Sequence, residues 1–484
     1  LASKDENSYG KILKGLSMFG SVEVFQILIN LVRGKFVAMF LGPQGMGVSS
    51  MFTSASNTLT QFSSLGLNLA FVKEVAANKE ESDKLAVTGR MAEMLIRITS
   101  LIGAVACVVL APWLSRISFG STELSWQFML LGVAIFLRIS VQGYKAILQG
   151  LHRVKTLSTT SLAGALTGLF AGVPLYYFFG TRGIVPAMIV LQLTLCGFYY
   201  FGVRKYMPRS KIKFERKLHS PIIRKMVATG MVLLGASLIN TLFTYLINIY
   251  IRQYGDLSHV GLFNAANSVT MQYAGVVFTA MALDYFPRLS ASAGNAVKMR
   301  GIVAKQMEIV AMIATPLAIL LIATAPIIIR LLLTKEFLPI TPLMRWLGLS
   351  ILLKAIAYPL GYIAFAKDNR RLFFWLEGVI CNILYIGCSL IFYHFYGLMG
   401  LGYGAVVEQG ACILIYLLVN FKAYGLIPDK GAVVETSVGI ILGTCGFIAT
   451  IAMSGVWSYV MCGAVFAVSA WRSVTGLKSR IKRE

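Results

Sequence analysis

The sequence is written twice. Ala111-Pro112 followed by Arg116 returns as Ala325-Pro326 followed by Arg330, Gly47 returns as Gly261, and Lys73 as Arg288. Glu93 maps onto Glu308, Gly143-Tyr144 onto Gly361-Tyr362, Arg153 onto Arg371, and Gly180 with Gly183 onto Gly397 with Gly400. The weight lies in the shared order and in an offset that stays within 214–218 residues. A period of that length exceeds any solenoid repeat and implies a duplicated half-protein.

The surroundings of the two halves follow from composition. With 57% hydrophobic and 13% charged residues, the chain has too little polar surface for a soluble domain, and apolar runs of roughly 18 or more residues recur throughout. Hydropathy places spans near 15–40, 44–70, 86–112, 124–150, 158–179, 183–203, 222–250, 260–286, 303–333, 340–366, 371–395 and 399–424, with shorter ones near 434–453 and 456–471. In lipid every backbone group must be satisfied within the span, so runs of this length are helices. The expected fold is an all-α polytopic membrane protein of about fourteen transmembrane helices: two six-helix bundles as parallel pseudo-twofold repeats, plus two C-terminal helices. The expected divisions are an N-lobe at 1–205, a basic cytoplasmic linker at 206–221, a C-lobe at 222–428, and helices 13 and 14 with a basic tail at 429–484.

Lys and Arg accumulate on the cytoplasmic side of membrane proteins. The connection at 204–225 carries Arg204, Lys205, Arg209, Lys211, Lys213, Arg216, Lys217, Arg224 and Lys225 against the single acid Glu215. The loops around Lys79, Arg153, Lys298 and Arg370 fall on the same side, as does the tail with Arg472 and Arg480, whereas the opposite loops are short and nearly neutral. Both termini are therefore expected in the cytoplasm. The net charge of +24 reads as topology and contact with the phospholipid bilayer, not as nucleic-acid binding. An even helix count per half makes the repeats parallel, as in transporters whose site lies between two halves. The stretch from Leu1 to Gly10 shows no cleavable signal pattern.

Catalytic motifs do not emerge: there is no P-loop, no His-Glu-x-x-His, and no long loop to house a catalytic domain, so no enzyme activity, metal or cofactor is expected. Gly400, Gly402 and Gly404, and likewise Gly164, Gly168 and Gly172, read as close helix packing. Seven scattered cysteines read as small apolar packing residues.

Charges inside the spans carry the functional signal. A cation near mid-membrane costs on the order of 2.5–3.5 kcal/mol and must face a partner or a wet cavity. The basic set is Arg33, Lys35, Arg97, Arg138, Lys145, Arg252, Arg345 and Lys354, and the acidic set is Glu23, Glu93, Asp284, Glu308, Glu377 and Glu408. Lys35, Lys145, Arg252 and Arg345 lie near span ends, where snorkelling is an alternative, while Arg33, Arg138 and Lys354 lie deeper. Guanidinium and ammonium groups suit a phosphate-bearing ligand. Hydroxyl and amide groups from Ser49 to Ser64, and from Asn264 to Gln272, offer contacts to sugar hydroxyls or polar gluing between helices.

Several segments carry a family resemblance: Gly34-Lys35, then Leu41-Gly42-Pro43 to Gly47; Tyr285-Phe286-Pro287-Arg288-Leu289; and Lys335-Glu336-Phe337 through Trp346, Lys354, Gly361-Tyr362 and Ala366-Lys367. In these the chain resembles Wzx-type lipid-linked oligosaccharide flippases, the polysaccharide-transporter branch of the multidrug/oligosaccharidyl-lipid/polysaccharide (MOP) superfamily, including the enterobacterial-common-antigen (lipid III) and O-antigen translocases. The resemblance implies a bacterial inner-membrane protein moving undecaprenyl-diphosphate-linked repeat units from the cytoplasmic to the periplasmic leaflet, with other polysaccharide-export proteins as partners. Lys35, Arg252, Arg288 and Lys354 match basic positions in similar sequences, while Arg33, Arg138 and Lys145 come from their intramembrane placement. The chain departs from the twelve-helix members in its last two helices, and at Ile351, where some relatives place an acid before the lysine. Asp284 and Glu308 are the coupling residues expected instead. Outward movement of diphosphate charge across an inside-negative potential is favoured by roughly 2.3 kcal/mol per charge per 100 mV. A membrane potential or a cation gradient is therefore the expected drive for an alternating-access cycle. A multidrug or cation exporter of the same superfamily is the alternative reading.

Overall fold

The computed structural model describes residues 2–207, 216–453 and 455–481, with side chains described from Phe25 onward except over 208–222 and at scattered later positions. Much of the basic connection expected at 206–221 thus lies outside the described residues. Among those described there are fifteen α-helices and no strand. They are α1 (Ala2–Ser64), α2 (Leu67–Ala77), α3 (Ser82–Phe119), α4 (Ser125–Gly150), α5 (Val154–Phe179), α6 (Ile184–Tyr206), α7 (Arg216–Tyr254) and α8 (Leu257–Ala291). There follow α9 (Ala296–Leu332), α10 (Thr341–Ala366), α11 (Arg370–Phe373), α12 (Cys381–Tyr396), α13 (Leu398–Tyr424), α14 (Lys430–Ala452) and α15 (Val456–Ile481). A π-helical segment, Phe374–Ile380, joins α11 to α12 in one continuous span.

Nine described segments are long and apolar enough to cross a membrane, and one of them, Val154–Tyr206, holds both α5 and α6. The chain is an all-α polytopic membrane protein. α1 is two helices across a kink at Gly42, which is left-handed at φ 63° and is followed by Pro43. A side chain would resist that φ and proline has no N–H to continue the ladder, so the break falls between the first two expected spans. The last helix is longer than hydropathy indicates. α15 continues past Trp471 to Ile481, where the added turns are too polar to register as a span.

The chain divides into two compact units, Leu1–Arg252 and Gln253–Glu484. Most of α7 therefore belongs with the first unit, and its polar side chains show why. Asn248 donates to Ser54 Oγ of α1 at 2.7 Å, Tyr245 and Ser118 of α3 share a 2.6 Å hydrogen bond, and Thr58 donates to the Thr241 carbonyl at 3.3 Å. Buried polar groups inside a membrane protein need such partners.

Each unit repeats the same turns. At the α4–α5 connection His152 is left-handed (φ 52°) and Arg153 N–H donates to Leu148 O at 3.2 Å. At the α10–α11 connection Asp368 takes φ 53° and Asn369 N–H donates to Ala364 O at 3.0 Å. Gly180 (φ 54°) ends α5 as Gly397 (φ 58°) ends α12. Three residues on, Gly183 faces the Leu175 carbonyl and Gly400 the Phe392 carbonyl so closely that neither position has room for a Cβ. The expected glycine packing is present as well: Gly164, Gly168 and Gly172 of α5 face Leu195, Leu191 and Ala187 of α6.

α14 and α15 are seated in the second unit against α9. Gly439 and Gly446 of α14 meet Thr315 and Ile319, Ser473 of α15 donates to the Met312 carbonyl at 2.6 Å, and Arg345 of α10 donates to the Thr450 carbonyl at 3.0 Å.

Candidate functional site

In the first unit, α1, α4 and α5 pack on one another and bring Arg33 and Arg138 within electrostatic reach, with Tyr176 near Arg33. Both guanidinium groups are half-buried. Among the described residues neither forms an ion pair; Glu93, an intramembrane acid of this unit, lies instead 4.0 Å from Arg97. Gln142 and Lys145 follow Arg138 at helical spacing along α4, and Lys145, two turns on, shares its face. Asn68 of α2 donates to Gln142 Oε1 at 3.1 Å. Together these form a polar, cationic stripe inside the unit.

The other cations expected at the site are placed differently. Arg252 donates to the Phe119 carbonyl and lies against Gly120 (φ 77°), so it caps the carbonyl end of α3, a favourable position for a cation. Lys35 is half-buried, with its interactions made inside the protein, and Arg288 is exposed in the last turn of α8. Ser54 and Thr58 serve as glue to α7, whereas Ser56 Oγ, Asn57 Oδ1 and Thr60 Oγ1 are buried without a partner among the described residues.

The second unit holds a different chemistry around Lys354 of α10. Glu377 in the π-helical segment and Glu408 of α13 both feel the Lys354 charge. Tyr416 donates to Glu377 Oε1 at 2.6 Å, Cys381 Sγ lies 3.1 Å from the Tyr416 hydroxyl, and the Cys412 thiol is 3.4 Å from Cys381 Sγ. Cys412 also reaches Glu408 Oε1 at 3.4 Å, and Gln409 donates to Glu408 Oε2 at 2.7 Å. Thus one string of polar contacts runs from carboxylate to carboxylate through two thiols and a phenol. The π-helical turn re-aims the chain at Glu377, and such turns recur at functional positions. Asn382 stabilises it by donating to the Glu377 carbonyl at 2.8 Å. All seven described cysteines are free, so the reading of cysteines as scattered packing residues misses this thiol contact.

Of the two expected coupling acids, the side chain of Asp284 lies outside the described residues. Glu308 is half-buried beside Gly431, at the start of α14, and makes further interactions inside the protein. The acids facing Lys354 come from other helices, whereas its own helix carries buried Ile351. One available signal pointed to them: Glu408, Cys412, Tyr416 and Asn420 recur every fourth residue on α13, and all are buried.

A family profile described as polysaccharide biosynthesis protein matches residues 36–342. This chain belongs to the polysaccharide biosynthesis protein family. The resemblance read from the sequence motifs therefore holds. Within this family member the matched stretch contains Arg138, Lys145, Arg252 and Arg288 and ends before Lys354, Glu377 and Glu408. The lipid III flippase of Escherichia coli (strain K12) is 22% identical over 359 residues, 72% of this chain and 83% of its own length. Among solved structures, the lipid II flippase MurJ in an inward closed conformation matches with TM-score 0.70 at 15% identity, over 97% of this chain and 99% of that one. An inward-facing multidrug resistance MATE family transporter of the MOP superfamily matches with TM-score 0.67 at 16% identity, over 89% of this chain and 96% of that one. These likenesses establish that the family member shares the MOP-superfamily fold.

Proposed function

We propose that this protein is a flippase for lipid-linked oligosaccharides, moving undecaprenyl-diphosphate-linked repeat units from the cytoplasmic to the periplasmic leaflet of a bacterial inner membrane. The observation that carries the reading is the half-buried Arg33–Arg138 pair, without an ion-pair partner among the described residues. Two half-buried guanidinium groups repel one another until an anion sits between them, and a diphosphate offers each a bidentate partner. The lipid III flippase relative has a name that fits this cargo.

The Lys354 cluster is the coupling element of the proposal. Carboxyl, thiol and phenol groups in contact can each accept and release a proton, so the string from Glu408 to Glu377 suits proton exchange during an alternating-access cycle. Lys354 thereby shifts from cargo ligand to partner of the coupling acids, and Glu377 and Glu408 join Asp284 and Glu308 as candidates. Membrane potential acts on the cargo itself, because outward transfer of each diphosphate charge is favoured by roughly 2.3 kcal/mol per 100 mV. Both termini are cytoplasmic in this orientation.

The test is leaflet exchange of a fluorescent polyprenyl-diphosphate oligosaccharide in proteoliposomes, with a cationic dye in parallel. A charge-assisted hydrogen bond contributes about 1.5–3 kcal/mol, so Arg33→Gln and Arg138→Gln should each slow exchange at limiting lipid by about tenfold or more. Full exchange in both variants would remove the proposed site. Dye movement without lipid movement would assign the fold to cation export.

A further inference from the structure

A cavity of about 500 Å³ opens at the loop end of the first unit, where the end of α6 meets the α2–α3 and α4–α5 connections. Its charge is strongly one-sided: Lys79, Arg153 and Lys205 line it against the single carboxylate of Glu80. The neighbouring Glu81 is already engaged by Lys84 at 2.8 Å. Tyr206 organises the cations. The Arg153 guanidinium stands 4.5 Å over its ring and the Lys205 ammonium 5.7 Å from the same ring, while Thr156 donates to its hydroxyl at 3.2 Å.

We propose that this cavity binds the phosphate headgroup of an anionic lipid. Arg153 and Lys205 are held on one aromatic ring with Lys79 beside them, all three exposed and none in an ion pair among the described residues, so their charge is concentrated and open to an incoming anion. Basic residues that serve topology alone are dispersed along loops; here they converge on one concave site of ligand size. Leu85 and Met207 supply an apolar wall suited to the glycerol and first methylenes of a lipid. The residue types beside it also fit: Tyr200 and Tyr206, with Arg204 5.1 Å over the Tyr200 ring, are of the aromatic and basic kind enriched where helices meet the lipid headgroups. It is separate from Arg138, which lies about 20 Å away along α4 by helical rise.

Retention of lipid by the full-length purified protein, measured by native mass spectrometry after exchange into phosphatidylcholine nanodiscs, tests the site. Phosphatidylglycerol, cardiolipin and polyprenyl diphosphate are added separately, with soluble pyrophosphate as competitor. Each cation near a membrane surface contributes about fivefold to anionic-lipid affinity, so Arg153→Gln/Lys205→Gln should lower retention by about thirtyfold. Arg153→Lys/Lys205→Arg, which keeps the charge, should restore most of it, and Glu80→Gln should raise it. A loss confined to phospholipids identifies the bilayer as the source, and a loss confined to polyprenyl diphosphate identifies the transported lipid. Equal retention by wild type and the double glutamine variant, in protein that still folds, would overturn the proposal, as would capture of pyrophosphate with no lipid selectivity.

Discussion

Replacing Tyr416 by phenylalanine removes one oxygen and keeps the ring. That oxygen donates to Glu377 Oε1 at 2.6 Å, at the short end of the roughly 2.5–3.0 Å range of hydroxyl hydrogen bonds. No other described side chain donates to the Glu377 carboxylate, so the bond is not replaced within the protein. Its contribution is about 1.5–3 kcal/mol, or about 12- to 160-fold in the equilibrium that it biases. With the membrane potential clamped and a pH gradient imposed, the gradient-driven component of lipid exchange should fall by about that factor. Lipid binding, assigned to the first unit, should be unchanged. Gly361→Ala gives an independent arm, because a methyl there would press on Glu377 Oε1 and touch Tyr416. It removes no polar group, and overpacking costs about 1–3 kcal/mol. A wild-type response to the gradient in both variants, after normal folding and reconstitution, would refute the assignment of the string to coupling.

The remaining tests address other parts of the molecule. In a double-mutant cycle of Arg33→Gln and Arg138→Gln, lipid affinity should show a coupling of at least about 0.5 kcal/mol, since two groups holding one diphosphate are not independent; strict additivity would separate them. Mild oxidation with diamide should join Cys381 to Cys412, whose sulfurs are 3.4 Å apart; peptide mapping that finds either thiol paired with Cys388 would contradict the packing of α12 on α13. Gly400→Ala should lower thermal stability more than Gly397→Ala, because the first drives a Cβ into the Phe392 carbonyl, whereas the second meets open space and carries only backbone strain at φ 58° and ψ −141°, about 1–3 kcal/mol; the reverse order would count against the turn geometry.

Helix positions were legible because the bilayer imposes them. The break at Gly42, the Gly180 and Gly397 turns, and the ends of α4 and α10 follow from local chemistry that one sequence displays. The length of α15 was less legible, since its final turns are polar and hydropathy detects only the buried portion of a helix. The place of α7 was hidden for a different reason. Its attachment rests on Asn248, Tyr245 and Thr241 meeting Ser54, Ser118 and Thr58, pairs separated by more than a hundred residues. At the site, Arg33 and Arg138 were accessible to reasoning because an intramembrane guanidinium is costly wherever it sits. The Glu408–Cys412–Tyr416 series was accessible through its spacing, but its continuation to Cys381 and Glu377 depends on helix packing and on a π-helical turn that no local signal announces.

The duplication bears on why the proposed chemistry is divided. The turns at His152 and Asp368 and at Gly180 and Gly397 repeat closely, whereas side chains at equivalent positions have diverged: Gly143 faces Ile96, and Gly361 faces Glu377. The repeat preserves a backbone and leaves its interior free to specialise. A diphosphate needs uncompensated cations, and a proton site needs carboxyl groups that can ionise. If both were placed in the interior of one unit, Arg138 and Glu377 would pair, and a buried ion pair satisfies each group at the expense of either ligand. With Arg33 and Arg138 in the first unit and Glu377 and Glu408 in the second, the groups proposed to hold each ligand do not pair with one another, and Lys354 is the cation that the two carboxyl groups share. The proposed coupling then requires no direct contact between cargo and proton, only that each ligand prefer one state of a shared conformational equilibrium. On that reading, neutralising Glu408 should alter the gradient response while leaving lipid affinity measured in a single conformational state unchanged, and a direct loss of lipid binding in that variant would place both ligands at one site.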